Sequence, residues 1–393
     1  MPKLGVRQLS LAGKRVFLRA DLNVPLADGA VADDTRIRAM LPTLRHCLEA
    51  GAAVVLASHL GRPKGRPDPQ YSLAPVATRL GELLGLDVPL APDCVGAVTE
   101  ARVEAMKPGE VVLLENLRFH PEEEANDAEF ARALARLADG YVDDAFAAAH
   151  RANASIDAIT RYLQPAAAGL LMEGELAALG RILEHPERPL VAILGGAKVS
   201  DKLGLVENLL GRVDAIAIGG AMAFTFLRAL GHDPGRSRIE PNLVESARRT
   251  LAEGRRRGVR VLLPVDVVVA AGVDSPSGRV VGVRDIPSDS MGLDIGPVTV
   301  QQFGELVRSA RTVVWNGPLG VFEKPAFAAG TIGVARAVAE LQGFSVVGGG
   351  DTIAAVHRAG LTDRIGYIST AGGAFLEFLE GRKLPGVEAL TDA

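Results

Sequence analysis

Short, continuously apolar runs recur along this 393-residue chain and are bounded by glycine or charged residues. Eight of them occupy residues 15–19, 53–57, 111–114, 190–194, 215–218, 259–264, 312–315 and 344–347. Such runs are typical of parallel strands covered on both faces. Longer amphipathic segments lie between them, and 124–139, where Phe130, Leu134 and Leu137 share one helical face, is predicted to be a helix. Strands that alternate with helices predict an α/β fold with parallel sheets.

The chain is too long for one hydrophobic core of ordinary size, so two domains are expected. Residues 164–189 contain a strong helix former and end in a proline-flanked charged turn. We therefore predict two Rossmann-like parallel-sheet domains, 1–169 and 184–378, with a connecting helix at 170–183 and a cleft between the domains. A crossover helix inside one large sheet is the alternative.

Composition narrows the class of protein. Lys and Arg number 43 against 47 Asp and Glu, a net charge of −4, which argues against a general nucleic-acid binder. Two cysteines, Cys47 and Cys94, cannot build a disulfide framework, and the N-terminus has no apolar signal-peptide region. An uncharged apolar stretch at 215–227 is shorter than the ~18–20 residues of a spanning helix. These features predict a cytoplasmic protein with neither nucleic-acid nor membrane partners.

Polar and basic residues follow the first-half strands where each strand ends. Asp21 and Asn23 follow the first run, and His59 and Arg62 the second; Arg118 and Arg151 follow later strands. Ligands of parallel α/β sheets bind at this edge. Together with Arg36, these arginines suit a small ligand with several negative charges. The alternative is that they form ordinary surface ion pairs.

The second half combines glycine loops with rare lysines. Glycines follow the strands at 195–196, 219–220, 317 and 348–350, and recur at 372–373. Such loops let backbone N–H groups approach a phosphate. Only eight basic residues are lysines, yet Lys198 and Lys202 lie four apart and would share a face at a helix start. Asp351 is a candidate Mg²⁺ ligand, or alternatively the N-cap of a helix at 352–359.

Several other classes of site are excluded by pattern. The chain contains neither the P-loop G-x-x-x-x-G-K-S/T nor the dinucleotide fingerprint G-x-G-x-x-G. We find no Cys/His group with zinc spacing and no G-x-S-x-G elbow. The scattered histidines, interpreted as structural or solvated, are His46, His120, His185, His232 and His357.

Eight ordered motifs resemble the phosphoglycerate kinase family nearly end to end. They are FLRADLNVP (17–25), SHLGRP (58–63), LLENLRF (113–119), DDAFAAAHRA (143–152), ILGGAKVSDK (193–202), MGLDIGP (291–297), WNGPLGVFE (315–323) and GGGDT (348–352). The resemblance implies a monomeric kinase of glycolysis and gluconeogenesis that reversibly transfers phosphate from 1,3-bisphosphoglycerate to MgADP, giving 3-phosphoglycerate and MgATP. It also implies that 379–393 returns to the first domain, which binds the glycerate, while the second binds the nucleotide.

The same resemblance assigns residues to roles. It implies that the glycerate substrate is bound by Asp21, Asn23, Arg36, His59, Leu60, Gly61, Arg62, Arg118 and Arg151. It implies that the nucleotide is bound by Lys202, Gly219, Gly220, Gly292, Glu323, Gly349, Gly350, Asp351 and Thr352, with Asp351 as the Mg²⁺ ligand. The catalytic candidates are Arg36, Lys198, Gly372 and Gly373. The chain departs from the family pattern at Ala147, Ala148, Asn153, Ala371 and Phe375.

The implied reaction needs no general base, because a carboxylate nucleophile with a pKa near ~3.5–4 is already ionised. It needs in-line positioning, charge neutralisation and exclusion of water, which closure about the connecting helix would supply. Two alternatives stay open: a kinase for another acyl or carbamoyl phosphate, and a non-catalytic binding protein on the same fold. A nicotinamide dehydrogenase is a more distant third.

Overall fold

A computed structural model describes residues 2–393 of the chain. The chain forms two compact units. Unit 1 contains residues 2–177 together with Lys383–Ala393, and unit 2 contains Ala178–Arg382. Each unit has its own parallel sheet and its own hydrophobic core.

Unit 1 is built around a five-stranded parallel sheet. Its elements in chain order are β1 (Arg15–Ala20), β2 (Leu26–Ala27), β3 (Ala30–Val31), α1 (Thr35–Glu49), β4 (Ala53–Ala57), α2 (Ala74–Leu84), α3 (Ala97–Glu104), β5 (Val111–Leu113), α4 (Pro121–Glu124), α5 (Ala128–Ala135), β6 (Gly140–Asp144), β7 (Ala166–Ala168) and α6 (Leu170–Leu183), which begins in unit 1 and ends in unit 2. The strand order is β5-β4-β1-β6-β7, and β2 and β3 form a separate small hairpin. Every residue of β4 is buried, because helices cover both faces of the sheet.

Unit 2 repeats this architecture with one more strand. Its elements are β8 (Leu190–Leu194), α7 (Leu203–Leu209), β9 (Ala215–Ile218), α8 (Ala223–Ala229), α9 (Val244–Arg257), β10 (Arg260–Leu262), β11 (Asp266–Ala270), β12 (Arg279–Gly282), β13 (Met291–Ile295), α10 (Pro297–Arg308), β14 (Thr312–Asn316), α11 (Ala329–Ala339), β15 (Phe344–Gly348), α12 (Gly350–Arg358), β16 (Tyr367–Ser369) and α13 (Gly373–Leu379). The parallel sheet has the order β10-β9-β8-β14-β15-β16. A second, antiparallel sheet has the order β12-β11-β13.

The last residues of the chain, with α14 (Pro385–Glu388), pack on unit 1. The amide of Gly386 donates to the carbonyl of Ala149 at 2.8 Å, and that of Thr391 donates to Ala166 at 2.9 Å. At the opposite end of the chain, Lys3 forms an ion pair of 2.8 Å with Asp392.

The α/β fold with two parallel sheets is confirmed, but the single helix predicted over 124–139 is wrong. Asn126 adopts a left-handed backbone conformation (φ 54°), which ends α4. Asp127 then caps α5 by accepting a hydrogen bond from the amide of Phe130 at 2.8 Å. Phe130 and Leu134 face the core as expected. Within residues 2–393, no helix combines the length and apolar character needed to cross a membrane.

Candidate active site

His59 stands at the carboxyl end of β4, in the middle of a group of arginines. Its side chain is buried, and Nη2 of Arg19 lies 3.2 Å from its Nδ1. Burial holds the pKa of His59 well below its usual value, and the charges of Arg19, Arg118, Arg36 and Arg151 lower it further. We call these four residues the arginine cluster. A guanidinium can only donate, so Nδ1 accepts and the neutral ring carries its hydrogen on Nε2.

Short-range contacts order the predicted glycerate residues within unit 1. Arg36, on α1, forms an ion pair with the buried Asp21. The Asn23 side chain accepts from the amide of Gly61 at 2.9 Å. Arg118 donates to the carbonyl of Gly61 at 2.9 Å. The loops after β1, β4 and β5 are therefore tied together at one edge of the sheet.

Asn116 organises two of these loops and was not among the predicted site residues. It is buried, in the loop that follows β5. Its Oδ1 accepts from the amides of Leu60 (3.2 Å) and Arg118 (3.0 Å). Its Nδ2 donates to the carbonyls of Leu60 (2.8 Å) and Tyr71 (2.9 Å). The side chain thus uses its acceptor and both its donors to hold Leu60, Tyr71 and Arg118 together.

Arg62 and Arg151 complete the predicted set. Arg62 follows Gly61 and is exposed, and no other residue in 2–393 forms a hydrogen bond or ion pair with its side chain. Arg151 follows the 3-10 helix at Phe146–Ala148, and its Nε lies 3.1 Å from Nε2 of His150. The structure thus gathers cationic and neutral donors at one edge of unit 1, in a chain of net charge −4.

Unit 2 contains a cavity of about 350 Å³, which we call the unit 2 cavity. Four predicted nucleotide residues line it: Gly220, Gly292, Glu323 and Asp351. Gly292 packs so closely on Phe224 that a Cβ there would lie 2.0 Å from Cζ of the ring. Gly219 packs on Leu319 in the same way, since a Cβ at Gly219 would lie 2.6 Å from Cδ2 of Leu319. A larger residue at either position would displace Phe224 or Leu319, both of which line the cavity.

The two lysines lie outside a helix, so the predicted helical spacing is wrong. Helix α7 begins at Leu203, and both Lys198 and Lys202 precede it. Lys202 is buried, its Nζ donates to the carbonyl of Asn316 at 3.3 Å, and burial lowers its pKa to about 8. Lys198 is exposed. The two side chains therefore differ in solvation, although both follow β8.

Asp351 is not an N-cap residue, so that alternative is wrong. Helix α12 begins at Gly350, and Gly349 is its N-cap with φ 92°. Asp351 lies in the first turn, exposed, and within residues 2–393 its carboxylate has no hydrogen-bond or ion-pair partner. Thr352 accepts from the amide of Gly317 at 2.7 Å, which joins this helix to the loop after β14. Mg²⁺ takes one or two carboxylates plus substrate phosphates, so an unpaired carboxylate at the cavity fits that ion.

The remaining predicted residues lie at turns. Gly372 has φ 56° and caps α13, which begins at Gly373. Phe375, where the family pattern has serine, is buried against Gly348, whose Cβ would lie 2.5 Å from its ring. The phosphate-facing role of Gly372 and Gly373 stays a prediction.

Two further clusters of polar side chains were not predicted from the sequence. Asp294 lines the cavity but is buried, accepts from the amides of Ile295 (2.9 Å) and Gly330 (2.7 Å), and has a pKa raised to about 7 by burial. In unit 1, ligand atoms of Asp93, Cys94 and His120 lie within 4.8 Å of one another, although the sequence has no zinc spacing. His120 bonds to Asp93 at 2.7 Å, which accounts for the group as a hydrogen-bonded cluster.

A group of cationic side chains in unit 1 and a glycine-lined cavity in unit 2 favour a phosphotransferase, and comparison with known proteins specifies the family. The phosphoglycerate kinase family model matches residues 6–382. The chain is 56% identical to a phosphoglycerate kinase of Desulfosudis oleivorans, covering 98% of each chain, and 55% identical to one of Pelotomaculum thermopropionicum, covering 100% of each. The solved phosphoglycerate kinase of Coxiella burnetii superposes with a TM-score of 0.92 at 44% identity, covering 99% of this chain and 98% of that one. The chain belongs to the phosphoglycerate kinase family, so it is a phosphotransferase with a carboxyl group as acceptor.

Proposed function

We propose that this chain moves a phosphoryl group reversibly between 1,3-bisphosphoglycerate and MgADP, with the glycerate held by unit 1 and the nucleotide by unit 2. The observation that best supports this is the arginine cluster around a neutral His59. Guanidinium groups recognise carboxylate and phosphate in planar, bidentate geometry. A ligand with a negative charge at each end, such as 3-phosphoglycerate, suits that cluster.

For the glycerate, we assign the phosphate and carboxylate to Arg36, Arg62, Arg118 and Arg151, and hydroxyl contacts to Asp21, Asn23 and His59. His59 can donate from Nε2 without bringing a further charge. The backbone of Leu60 and Gly61 positions Arg118, since Gly61 accepts its hydrogen bond. Arg19 and Asn116 act as positioning residues, because their contacts are to His59, Leu60 and Arg118.

For the nucleotide, we assign Gly219, Gly220 and Gly292 to the base, Glu323 to the ribose, and Lys202 with 349–352 to the phosphates. Asp351 would hold Mg²⁺, which neutralises phosphate charge when bound. Burial lowers the pKa of Lys202, and the charge of Asp351 partly opposes that shift. A bound phosphate would add negative charge beside the Lys202 ammonium group and raise its pKa again.

The chemistry follows from charge. The attacking carboxylate of 3-phosphoglycerate is ionised at neutral pH, so no side chain has to remove a proton. Arg36, Lys198 and the amides of Gly372 and Gly373 would neutralise the phosphoryl group as it moves, which lowers the barrier when these donors are preorganised. Water must be kept from the acyl phosphate, and we propose that closure about the connecting helix at 170–183 does this.

We also propose that the chain acts as a cytoplasmic monomer in glycolysis and gluconeogenesis. Its substrates would then be soluble metabolites alone, with neither nucleic acid nor membrane as a partner. The near-balanced charge of −4 supports this.

The test is ADP formation from MgATP that depends on 3-phosphoglycerate, with acetate, carbamate and glutamate as competing acceptors. We expect turnover with 3-phosphoglycerate alone, and a loss of about 1000-fold in Arg36→Ala. Arg38→Ala is the matched control on the same helix, since Arg38 is exposed and paired with Asp34. Turnover with another acceptor, or an equal loss in both variants, would refute the assignment.

A further inference from the structure

Arg238 lines the unit 2 cavity and has no assigned role. Its side chain is exposed, and nothing else within residues 2–393 makes a hydrogen bond or ion pair with it. The other charged residues that line the cavity in the described chain are Asp294, Glu323 and Asp351, all acidic. None of these carboxylates forms an ion pair with Arg238, so its guanidinium group is available to a ligand.

The segment around Arg238 is attached to Gly292, a residue that we assign to the nucleotide base. The Oγ of Ser237 accepts from the amide of Gly292 at 2.8 Å, and Arg236 donates from its amide to Ser290 at 2.8 Å. Next to Gly292 stand the apolar walls formed by Phe224 and Met291. An apolar slot of this kind suits a flat base, and Asp351 is the lining residue that we assign to the phosphates and Mg²⁺.

The same segment is held at both ends. Glu240, two residues beyond Arg238, accepts from the amides of Val199 and Ser200 in the loop after β8. The backbone between Ser237 and Glu240 is therefore fixed while the Arg238 side chain projects from it. Recognition of a particular edge of a ligand requires that the backbone carrying the donor side chain is held in place.

We propose that Arg238 recognises the O6 and N7 atoms of a 6-oxopurine, so that this chain uses guanosine and inosine nucleotides at least as well as adenosine nucleotides. This inference rests on the proposed function, because it concerns the nucleotide of the same site. A guanidinium only donates hydrogen bonds. Guanine and hypoxanthine present two adjacent acceptors at O6 and N7, whereas adenine places a donor at N6 beside its N7 acceptor. The planar guanidinium group of arginine can donate to both acceptors of guanine or hypoxanthine. At adenine it would face the N6 amino group, which is also a donor.

The test is calorimetric binding of MgGDP, MgIDP and MgADP to the full chain and its variants. In the wild type, GDP and IDP should bind at least as tightly as ADP. Arg238→Leu should weaken GDP and IDP binding by about tenfold and change ADP binding by less than about twofold. Arg238→Lys keeps the charge without the fork and should recover only part of the loss. Arg236→Leu is the matched control and should leave all three affinities unchanged.

The remaining outcomes contradict either this inference or the proposed function. If Arg238→Leu weakens all three nucleotides equally, Arg238 acts on phosphate charge and the inference is wrong. A loss for GDP without a loss for IDP would place the contact at the guanine amino group and also overturn it. Tight ADP binding with no GDP or IDP binding overturns this inference alone. If no nucleotide binds the wild type, the proposed function itself fails.

Discussion

Nη2 of Arg19 lies 3.2 Å from Nδ1 of His59, one of the residues that we propose to bind the glycerate. Arg19 is buried, and its Nε also donates to Oγ of Ser155 at 2.9 Å. The guanidinium is therefore held from two sides. This contact selects the neutral His59 tautomer that carries its hydrogen on Nε2.

The His59 contact predicts a pH dependence of stability. Because the folded state lowers the pKa of His59 well below 6.5, the unfolded chain takes up a proton first as the pH falls. The stabilisation is fully present above pH ~6.5 and is lost below it. Between about pH 7.5 and pH 5.5, urea unfolding should show a fall about 1 kcal/mol larger in the wild type than in His59→Gln.

The pH dependence of stability has to be compared between the wild type and His59→Gln, because buried carboxyl groups change stability with pH in the opposite direction. Burial raises the pKa of Asp143 and of Asp294 to about 7, so these groups favour folding more as the pH falls. Their contribution cancels in the difference. His185→Gln, at an exposed position, is the control. Equal pH dependence in the wild type and His59→Gln would mean that His59 is not held neutral.

Lys202→Met is expected to stabilise the protein while weakening nucleotide binding. Burial lowers the pKa of Lys202 to about 8, so at pH 7 folding carries the cost of a desolvated charge that is relieved only as the pH rises from 8 towards 10.5. Removing the charge should raise the free energy of unfolding by about 2 kcal/mol at pH 7. The Asn316 carbonyl keeps its hydrogen bond from Gly195 at 3.0 Å.

Both effects of Lys202→Met are measured on one sample, by urea unfolding and by MgADP calorimetry. Lys14→Met, at an exposed position in unit 1, should change neither quantity. A variant that is less stable, or that binds MgADP as the wild type does, would contradict the assignment of Lys202.

Gly292→Ala should close the unit 2 cavity. The added Cβ would lie 2.0 Å from Cζ of Phe224, so the ring must move or the strand must shift. We expect a loss of about 1–3 kcal/mol in the free energy of unfolding and weaker MgADP binding. Phe224→Leu in the same chain should restore part of both, because it removes the atoms that clash.

The control for Gly292→Ala is Gly272→Ala, since a Cβ at Gly272 meets no atom within 4 Å. MgADP binding is measured by calorimetry, and stability by thermal unfolding, for Gly292→Ala, for Gly292→Ala combined with Phe224→Leu, and for Gly272→Ala. If Gly292→Ala binds MgADP normally, the base does not lie against Gly292.

The two cysteines should resist thiol reagents in the folded protein. Burial raises the pKa of Cys47 to about 12 and that of Cys94 well above 9. For Cys47, a shift of this size lowers the thiolate fraction about 1000-fold. Mass spectrometry after iodoacetamide treatment at pH 8 should find both thiols unmodified, and both alkylated in denaturant. Rapid alkylation of either one without denaturant would show that it is exposed.

Much of the fold was predictable because parallel strands are buried on both faces. The bounds of β4, β8 and β9 match the apolar runs, since nothing but apolar side chains fits there. Strand β7 (Ala166–Ala168) escaped because alanine has a low strand preference, and sheet pairing with β6 overrides it. The break in the 124–139 helix depends on one left-handed residue, Asn126, which hydrophobic periodicity does not detect.

The grouping of the candidate site residues was predictable where they lie in the loops that follow strands. Asp21, His59 and Arg118 could be grouped because parallel strands end at the same edge. Arg19 was missed because it lies inside an apolar strand, and its role appears only when β4 is placed beside β1. Arg238 was missed because it follows no strand and reaches the cavity through the contact of Ser237 with Gly292.

A crystal structure of the chain with 3-phosphoglycerate and MgADP tests the central assignment most directly. We predict the glycerate among Arg36, Arg118 and Arg151 in unit 1, with His59 donating to it, and the nucleotide against Gly292 in unit 2. Both ligands on one unit, or no ligand among the arginines at saturating 3-phosphoglycerate, would contradict it.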